Sequence, residues 1–267
     1  MNHTIRHSQY SGNYKMSLVQ ETASTLKRKS MSELGAGVSQ SATNVSFINL
    51  IEAIRSERLA TLPHKGSTWD KVLIRAQYFA EQLHAFEIAI QGFALDSNAA
   101  SQIGYGHARL LLEVSKPSSS QSHCSKNVVQ LGHENSPALD KAFGFFYKCS
   151  LTVSSLLDRS ELLGVTSDTR EQLCMMYTDL LSLVTDVAIR FYKTVNGRCL
   201  VRFASGCTNY GAGMMSSSVS LDMYEVFGDT IETFRSRQVK LTEAIWSYQI
   251  EDEGLNVNEG MRSSIVD

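Results

Sequence analysis

An unbroken apolar seam in the middle of the chain constrains its fold more than any other feature. From Trp69 onward the apolar positions recur in steps of three and four, at Trp69, Val72, Ala76, Phe79, Leu83, Phe86, Ile90 and Phe93. Such steps keep side chains on one face of an α-helix, whereas a strand would alternate every two residues. Ser67 or Thr68 can cap the start. The sequence therefore predicts a long helix whose apolar stripe faces a partner helix.

The same period returns in four further segments, which begin near Ser97, Ala138, Ser167 and Asp229, and in shorter form in a segment that begins at Phe47. None of these segments is apolar all round, so their stripes must be buried on one another. Runs with a period of two are absent from the sequence. The predicted fold class is all-α, a bundle of about five long amphipathic helices.

The ends of the chain lack this period. Residues 1–43 are rich in serine and poor in large apolar side chains, which predicts a disordered N-terminal arm. Within the arm, Ser30 follows Lys27, Arg28 and Lys29 and is a candidate phosphorylation site. Residues 44–250 form the predicted bundle, and residues 251–267 a flexible acidic tail.

Composition limits the classes of partner and the compartment. The formal net charge of −2 over 267 residues argues against general nucleic-acid binding, which needs a basic face. The five cysteines are odd in number and form no Cys-x-x-Cys pair, which indicates free thiols, with Cys149 and Cys174 in the core. The uncharged stretch from Phe203 to Leu221 is rich in glycine and serine, so we expect no transmembrane segment and a cytoplasmic protein.

The Gly104-Tyr105-Gly106 triplet is the one stretch that suggests a phosphate-binding loop. A dinucleotide-binding turn needs a third glycine, where this chain has Arg109, and a preceding strand, where this chain predicts helix. We therefore expect Gly104 and Gly106 to be packing positions inside a helix, and neither ATP nor NAD to bind.

The other candidates for chemistry also favour structural roles. His107 falls on an apolar stripe with no Asp, Glu or His four residues away, so it is interpreted as a buried, hydrogen-bonded histidine. His123, Cys124 and His133 match no common zinc spacing. No catalytic residue, metal ligand or cofactor is predicted.

Three segments together resemble a known family. They are "TWDKVLIRAQYFAEQLHAFEIAI", "IGYGHARLLLEVS" and "VFGDTIETFRSRQVKLTEAIWSYQ". They are similar to the helical domain found in fungal multidomain proteins ahead of NACHT-type NTPase modules or ankyrin repeats. In this family an aliphatic helix opens with a Trp-Gly-like pair, and here Tyr105-Gly106 stands at that place.

The resemblance implies a signalling or effector module of NLR-like proteins, with a role in regulated cell death. Its partner would be another helical bundle or a second copy of itself, with no enzymatic activity. A membrane-active cell-death effector is the alternative, and a small enzyme with a site inside the bundle is a third. Its motifs are packing residues, and the packing residues expected are Trp69, Phe79, Phe86, Gly104, Gly106 and Trp246.

Overall fold

The computed structural model describes residues 8–92, 94, 97–114, 135–157, 166–204 and 223–263. Regular structure within these ranges is entirely α-helical. In chain order the helices are α1 (Ser8–Leu34), α2 (Ala36–Ala42), α3 (Phe47–Thr61), α4 (Thr68–Gln91), α5 (Ser97–Val114), α6 (Ser136–Leu157), α7 (Ser167–Ala204) and α8 (Met223–Ser263). The predicted all-α class is confirmed for this part of the chain, which contains eight helices rather than about five long ones.

Helix α4 is the element that the apolar seam predicted. Ser67 caps it, because the Ser67 hydroxyl accepts a hydrogen bond from the backbone N–H of Asp70 at 3.2 Å. The helix ends at Gln91, and the last seam residue, Phe93, lies outside the described residues. The other seam residues are all buried, so the stripe faces the core along the whole helix.

Helices α4 and α5 each run beside a later helix in the chain. The most extensive contact in the bundle joins α4 to α6, and the next joins α5 to α7. The pairs Arg75–Asp140 and Phe79–Phe146 advance together along α4 and α6, so these two helices are parallel. Phe86 of α4 packs edge to face against Tyr177 of α7, with 5.1 Å between ring centroids. This aromatic contact lies in the core between the two helices.

The N-terminal region differs from the disordered arm that the sequence predicted. Residues 8–34 form α1, which packs on α7 and α5, and Ala36–Ala42 form α2. Among residues 18–34 of α1, the buried positions are Val19, Ala23, Leu26, Ser30 and Leu34. Their spacing is helical, but alanine and serine in the stripe hide it from a search for large apolar side chains.

A glycine and two ion pairs fix how α1 joins the bundle. Gly35 has a φ of 79°, a left-handed conformation that glycine adopts without a Cβ clash, and it separates α1 from α2. Lys29 pairs with Asp186 of α7 at 2.6 Å, and Glu33 pairs with Lys193 about two turns further along α7. Helices α1 and α7 therefore run in the same direction.

The C-terminal region also differs from its prediction. Helix α8 begins at Met223, and its one non-helical residue, Phe227, produces a kink just before Asp229, where the sequence predicted the helix to begin. The helix continues to Ser263 through most of the stretch expected to be a flexible tail. Arg237 ties it to α7 through a hydrogen bond from Nε to an Asp179 carboxylate oxygen at 2.7 Å.

Candidate functional site

The strongest concentration of polar chemistry in the described part of the chain surrounds Glu87, in the interior. Tyr105 of α5 donates a hydrogen bond from its hydroxyl to Glu87 Oε2 at 2.8 Å. His84 Nδ1 lies 3.3 Å from the same oxygen, and Gln91 Nε2 donates to Oε1 at 3.4 Å. Phe47 of α3 stacks on the His84 ring, with 4.3 Å between centroids and 10° between the planes. Two helices thus supply the polar contacts of this carboxylate, and a third packs on the His84 ring beside it.

Burial and the neighbouring charge both raise the pKa of Tyr105 in this cluster. The Glu87 side chain is 6% exposed, whereas that of His84 is 37% exposed and reaches the surface. Burial raises the pKa of Tyr105, and the adjacent Glu87 carboxylate raises it further, since both disfavour the phenolate. Tyr105 therefore acts as a hydrogen-bond donor that satisfies a buried carboxylate, rather than as a proton source at neutral pH.

A second interior contact joins α1 to α5. Ser30 and His107 are both 0% exposed, and Ser30 Oγ lies 2.8 Å from His107 Nε2. His107 Nδ1 lies 2.8 Å from the carbonyl oxygen of Ile103. A carbonyl only accepts, so Nδ1 carries the ring proton and Nε2 accepts from the Ser30 hydroxyl, which shares its proton with the Leu26 carbonyl at 2.9 Å. Burial lowers the pKa of His107 to about 4. The predicted buried, hydrogen-bonded histidine is confirmed.

A third interior contact joins α5 to α7. The hydroxyls of Ser101 and Tyr177 lie 2.5 Å apart, and Ser101 also donates to the carbonyl of Ser97 at 2.9 Å. Burial raises the pKa of Tyr177. The Ser101 hydroxyl is thus engaged at both ends and is not an activated nucleophile, which would need a neighbouring base.

The expected packing residues on α4 line the core. Trp69, Phe79 and Phe86 are all buried, and Phe79 packs against Phe146 of α6 with 5.3 Å between ring centroids. The side chain of Trp246 lies outside the described residues.

The two glycines of the triplet lie inside α5 and face other helices closely. A Cβ on Gly106 would lie 1.9 Å from the carbonyl oxygen of Ala42, a backbone atom of α2. A Cβ on Gly104 would meet side-chain carbons of Leu181 at 2.6 Å and Leu83 at 3.1 Å. The two glycines therefore allow neighbouring helices to pack closely against α5, and the triplet is not a phosphate-binding loop.

The structure differs from the expectation for Ser30. The sequence placed this candidate phosphorylation site on an open arm, but the hydroxyl is enclosed between α1 and α5. The three basic residues before it, Lys27, Arg28 and Lys29, are exposed, so the basic segment lies on the surface while the serine that follows it does not.

The carboxylates, histidines and thiols of the described residues are the side chains in which a metal-binding or nucleophilic site would be found. Among the described residues, no group of three or more His, Cys, Asp or Glu side chains could hold a metal ion. Cys149 and Cys174 form no disulfide and are buried, as predicted, and burial raises the pKa of the Cys149 thiol to about 12. This thiol stays protonated and unreactive near neutral pH.

One surface carries a cluster of exposed apolar side chains. Tyr78 of α4 and Tyr147 of α6 lie with their ring centroids 5.7 Å apart. Ile74 lies one turn before Tyr78, and Leu151 one turn after Tyr147. Ile74, Tyr78 and Leu151 are exposed. We call these four residues the α4–α6 face. Sequence reasoning missed it, because it arises only when α4 and α6 run in parallel.

One stretch of the described chain, Ser167–Val195, is long and apolar enough to cross a membrane by length and composition. Of its most apolar window, 72% is buried inside the protein, and core helices have the same composition. The sequence predicted no span; burial in the core accounts for this stretch.

Comparisons with known proteins identified no relative. No family model matches the chain, and neither the curated proteins nor the solved structures include a significant match.

Proposed function

We propose that this chain is a non-enzymatic helical interaction module that binds an amphipathic helix of a second α-helical protein. This is the role implied by the resemblance of three segments to the helical domain that precedes NACHT-type or ankyrin modules in fungal NLR-like proteins. The α4–α6 face is the single observation that carries the proposal at the structural level. The partner would be another helical bundle, of the same kind or of this same chain.

The α4–α6 face has the composition of a docking surface. Its two tyrosines present large rings with few rotatable bonds, and Ile74 and Leu151 extend the apolar area along both helices. Aromatic residues are enriched where interfaces gain most of their binding energy. Two parallel helices also leave a groove between them, which is the usual seat of an amphipathic helix.

The interior supports the non-enzymatic part of the proposal. Glu87 is satisfied by Tyr105, His84 and Gln91, and His107 is satisfied by Ser30 and Ile103. Polar groups that already pair with one another stabilise the bundle and specify its packing. Chemistry would instead require a group directed at an open space where a substrate could lie.

Disruption of the α4–α6 face is the test. Tyr78→Asp places a charge at its centre, and Val239→Asp, at an exposed apolar position on α8, is the matched control. Each protein would be expressed in its native organism with a proximity-labelling tag, and sedimentation velocity would measure self-association of the purified chains. The wild type and the control should share a helical partner or self-associate, and Tyr78→Asp should lose that interaction with its melting temperature unchanged.

Two results would contradict the proposal. One is an identical set of labelled proteins and an identical sedimentation profile for the wild type and Tyr78→Asp. The other is a partner whose chemical cross-links map away from α4 and α6.

The composition of α7 favours a second candidate, a membrane-active effector. The stretch Ser167–Val195 could span a bilayer only if the bundle opened, because most of it is buried. Leakage of dye from anionic vesicles separates the two candidates. Leakage that Tyr78→Asp does not reduce would favour the membrane role, and intact vesicles at micromolar protein would favour the interaction module.

A further inference from the structure

Helix α1 presents a basic segment outward and a serine inward at adjacent positions. Lys27, Arg28 and Lys29 are exposed, and Ser30 is fully buried one residue later. Basic residues just before a serine are what basophilic protein kinases recognise electrostatically. In the closed bundle a kinase could therefore bind the segment but could not reach the hydroxyl.

The environment of Ser30 is incompatible with a phosphoserine. The single proton of the Ser30 hydroxyl is shared between the Leu26 carbonyl at 2.9 Å and His107 Nε2 at 2.8 Å, whose lone pair is available because Nδ1–H donates to Ile103. A phosphoryl group would replace this donor with oxygens that only accept and would place almost two negative charges in a closed interior. The adjacent Lys29 pairs with Asp186 on the surface. Because Ser30 is 0% exposed in the closed bundle, water cannot hydrate the added charge there.

Two features of α1 favour local opening. Among its residues 18–34, the buried apolar side chains are Val19, Ala23, Leu26 and Leu34, of which Ala23 is small. Its ion pairs, Lys29–Asp186 and Glu33–Lys193, are substantially exposed, and exposed pairs contribute little to stability. Segments with few buried apolar contacts open without unfolding the rest of a protein.

We propose that Ser30 is a phosphorylation site that acts as a latch, so that modification during a transient opening of α1 holds α1 and α2 away from α5 and α7. In the transfer step, Ser30 Oγ bonds to the γ-phosphorus of a nucleoside triphosphate and the bond to the β,γ-bridging oxygen breaks. The nucleoside diphosphate leaves, and the hydroxyl proton passes to the base of the kinase.

Release of α1 and α2 uncovers a defined apolar strip. Leu34 and Ala42 pack on Leu110 of α5 and Ile189 of α7, with Val114 and Tyr192 at the edge. The latch thus controls exposure of a surface on α5 and α7, which is separate from the α4–α6 face. It does not depend on the interaction role proposed above.

The experiment uses the full chain and two single-serine variants. Ser32 lies two residues after Ser30 and is exposed, so Ser32→Ala leaves Ser30 available and Ser30→Ala leaves Ser32 available as the matched control. Both proteins are treated with a basophilic kinase and MgATP, the modified residue is mapped by mass spectrometry, and amide hydrogen exchange is measured.

Phosphorylation of Ser30 should speed amide exchange across residues 18–42 by about tenfold or more, while α4 stays protected. A phosphatase should restore the slow exchange, which shows that the released state is folded and reversible. Phosphorylation of Ser32 in the control should change exchange by less than about twofold, because its side chain already faces water.

Three results would overturn the latch. The first is full phosphorylation of Ser30 with unchanged protection of α1. The second is loss of protection in α4 together with α1, which would indicate global unfolding. The third is failure to modify Ser30 in the full chain when a peptide of residues 20–40 is modified completely.

Discussion

The hydroxyl of Tyr105 lies 2.8 Å from Glu87 Oε2, and it donates the shortest of the hydrogen bonds to this buried carboxylate. Tyr105→Phe removes the donor and leaves the carboxylate under-satisfied in the interior. We expect a loss of about 1–3 kcal/mol in the free energy of unfolding, the usual result of orphaning a buried acceptor. Urea denaturation followed by circular dichroism measures it. Tyr78→Phe, at an exposed tyrosine, should be neutral, and equal losses in both variants would count against the role of this bond.

The apolar seam of α4 should dominate stability. Phe79→Ala and Phe86→Ala each remove a fully buried ring and should cost about 3–5 kcal/mol. Ile88→Ala on the exposed side of the same helix should change stability by less than about 0.5 kcal/mol. Thermal melting of the three variants, compared with the wild type, measures these losses of stability. If the phenylalanine variants melt within about 2 °C of the wild type, these rings are not core residues.

Gly106 should tolerate no side chain. Alanine there directs a Cβ at the Ala42 carbonyl, a backbone atom, so α2 must shift and the overpacking should cost about 1–3 kcal/mol. This loss exceeds the gain of about 1 kcal/mol in helix propensity. Gly92→Ala, where a Cβ would have no atom within 4 Å, is the control. A Gly106→Ala protein more stable than Gly92→Ala in denaturant titration would refute the close approach.

Acid should weaken the bundle through His107. Its pKa in the folded state is about 4, below the unfolded value of about 6.5, so the unfolded chain binds more protons between these values. The neutral ring contributes stability that is fully present above about pH 6.5 and falls as the pH drops towards 4, by about 3 kcal/mol in total. The difference between wild type and His107→Gln, measured from pH 7.5 to 4, isolates this contribution. A pH-independent difference would contradict it.

Deletion of residues 1–43 should lower the melting temperature by several degrees. The deletion removes Val19, Leu26 and Leu34 from the core and leaves His107 Nε2 without its partner. This outcome is the reverse of what a disordered arm predicts, which is an unchanged melting temperature. Full-length Lys27→Gln, altered at an exposed position, controls for loss of charge. Strong amide protection across residues 18–34 would be independent support.

The sequence pattern predicted the helix whose apolar stripe is long and made of large side chains. It did not predict the helix whose stripe contains small or polar side chains. The stripe from Trp69 identified α4 because large apolar side chains stand at most of its steps, whereas the stripe of Val19, Ala23, Leu26 and Ser30 is shorter and includes a small and a polar side chain. The sequence resembles a disordered segment at these positions because helix stability there comes from packing on α5 and α7 rather than from propensity.

The contacts of Glu87 could not be predicted for a different reason. Within α4 this residue follows Phe86 and is indistinguishable from any glutamate of a polar face. Tyr105 reaches it from α5, and Phe47 of α3 packs against the His84 and Tyr105 rings beside it. A periodic pattern determines which face of one helix is apolar, but it does not determine which residue of another helix lies opposite. His107, by contrast, lies on its own apolar stripe and was therefore predictable.

The closeness of α2 to Gly106 has a consequence for how this fold can vary. Because the Ala42 carbonyl occupies the space of a Cβ at position 106, the two positions are coupled through backbone rather than through side chains. A substitution at 42 cannot compensate for one at 106, since every residue type retains its carbonyl. Any descendant that acquires a side chain at 106 must therefore relocate α2 as a rigid piece, and an insertion or deletion near Gly35 or Thr43 should accompany it.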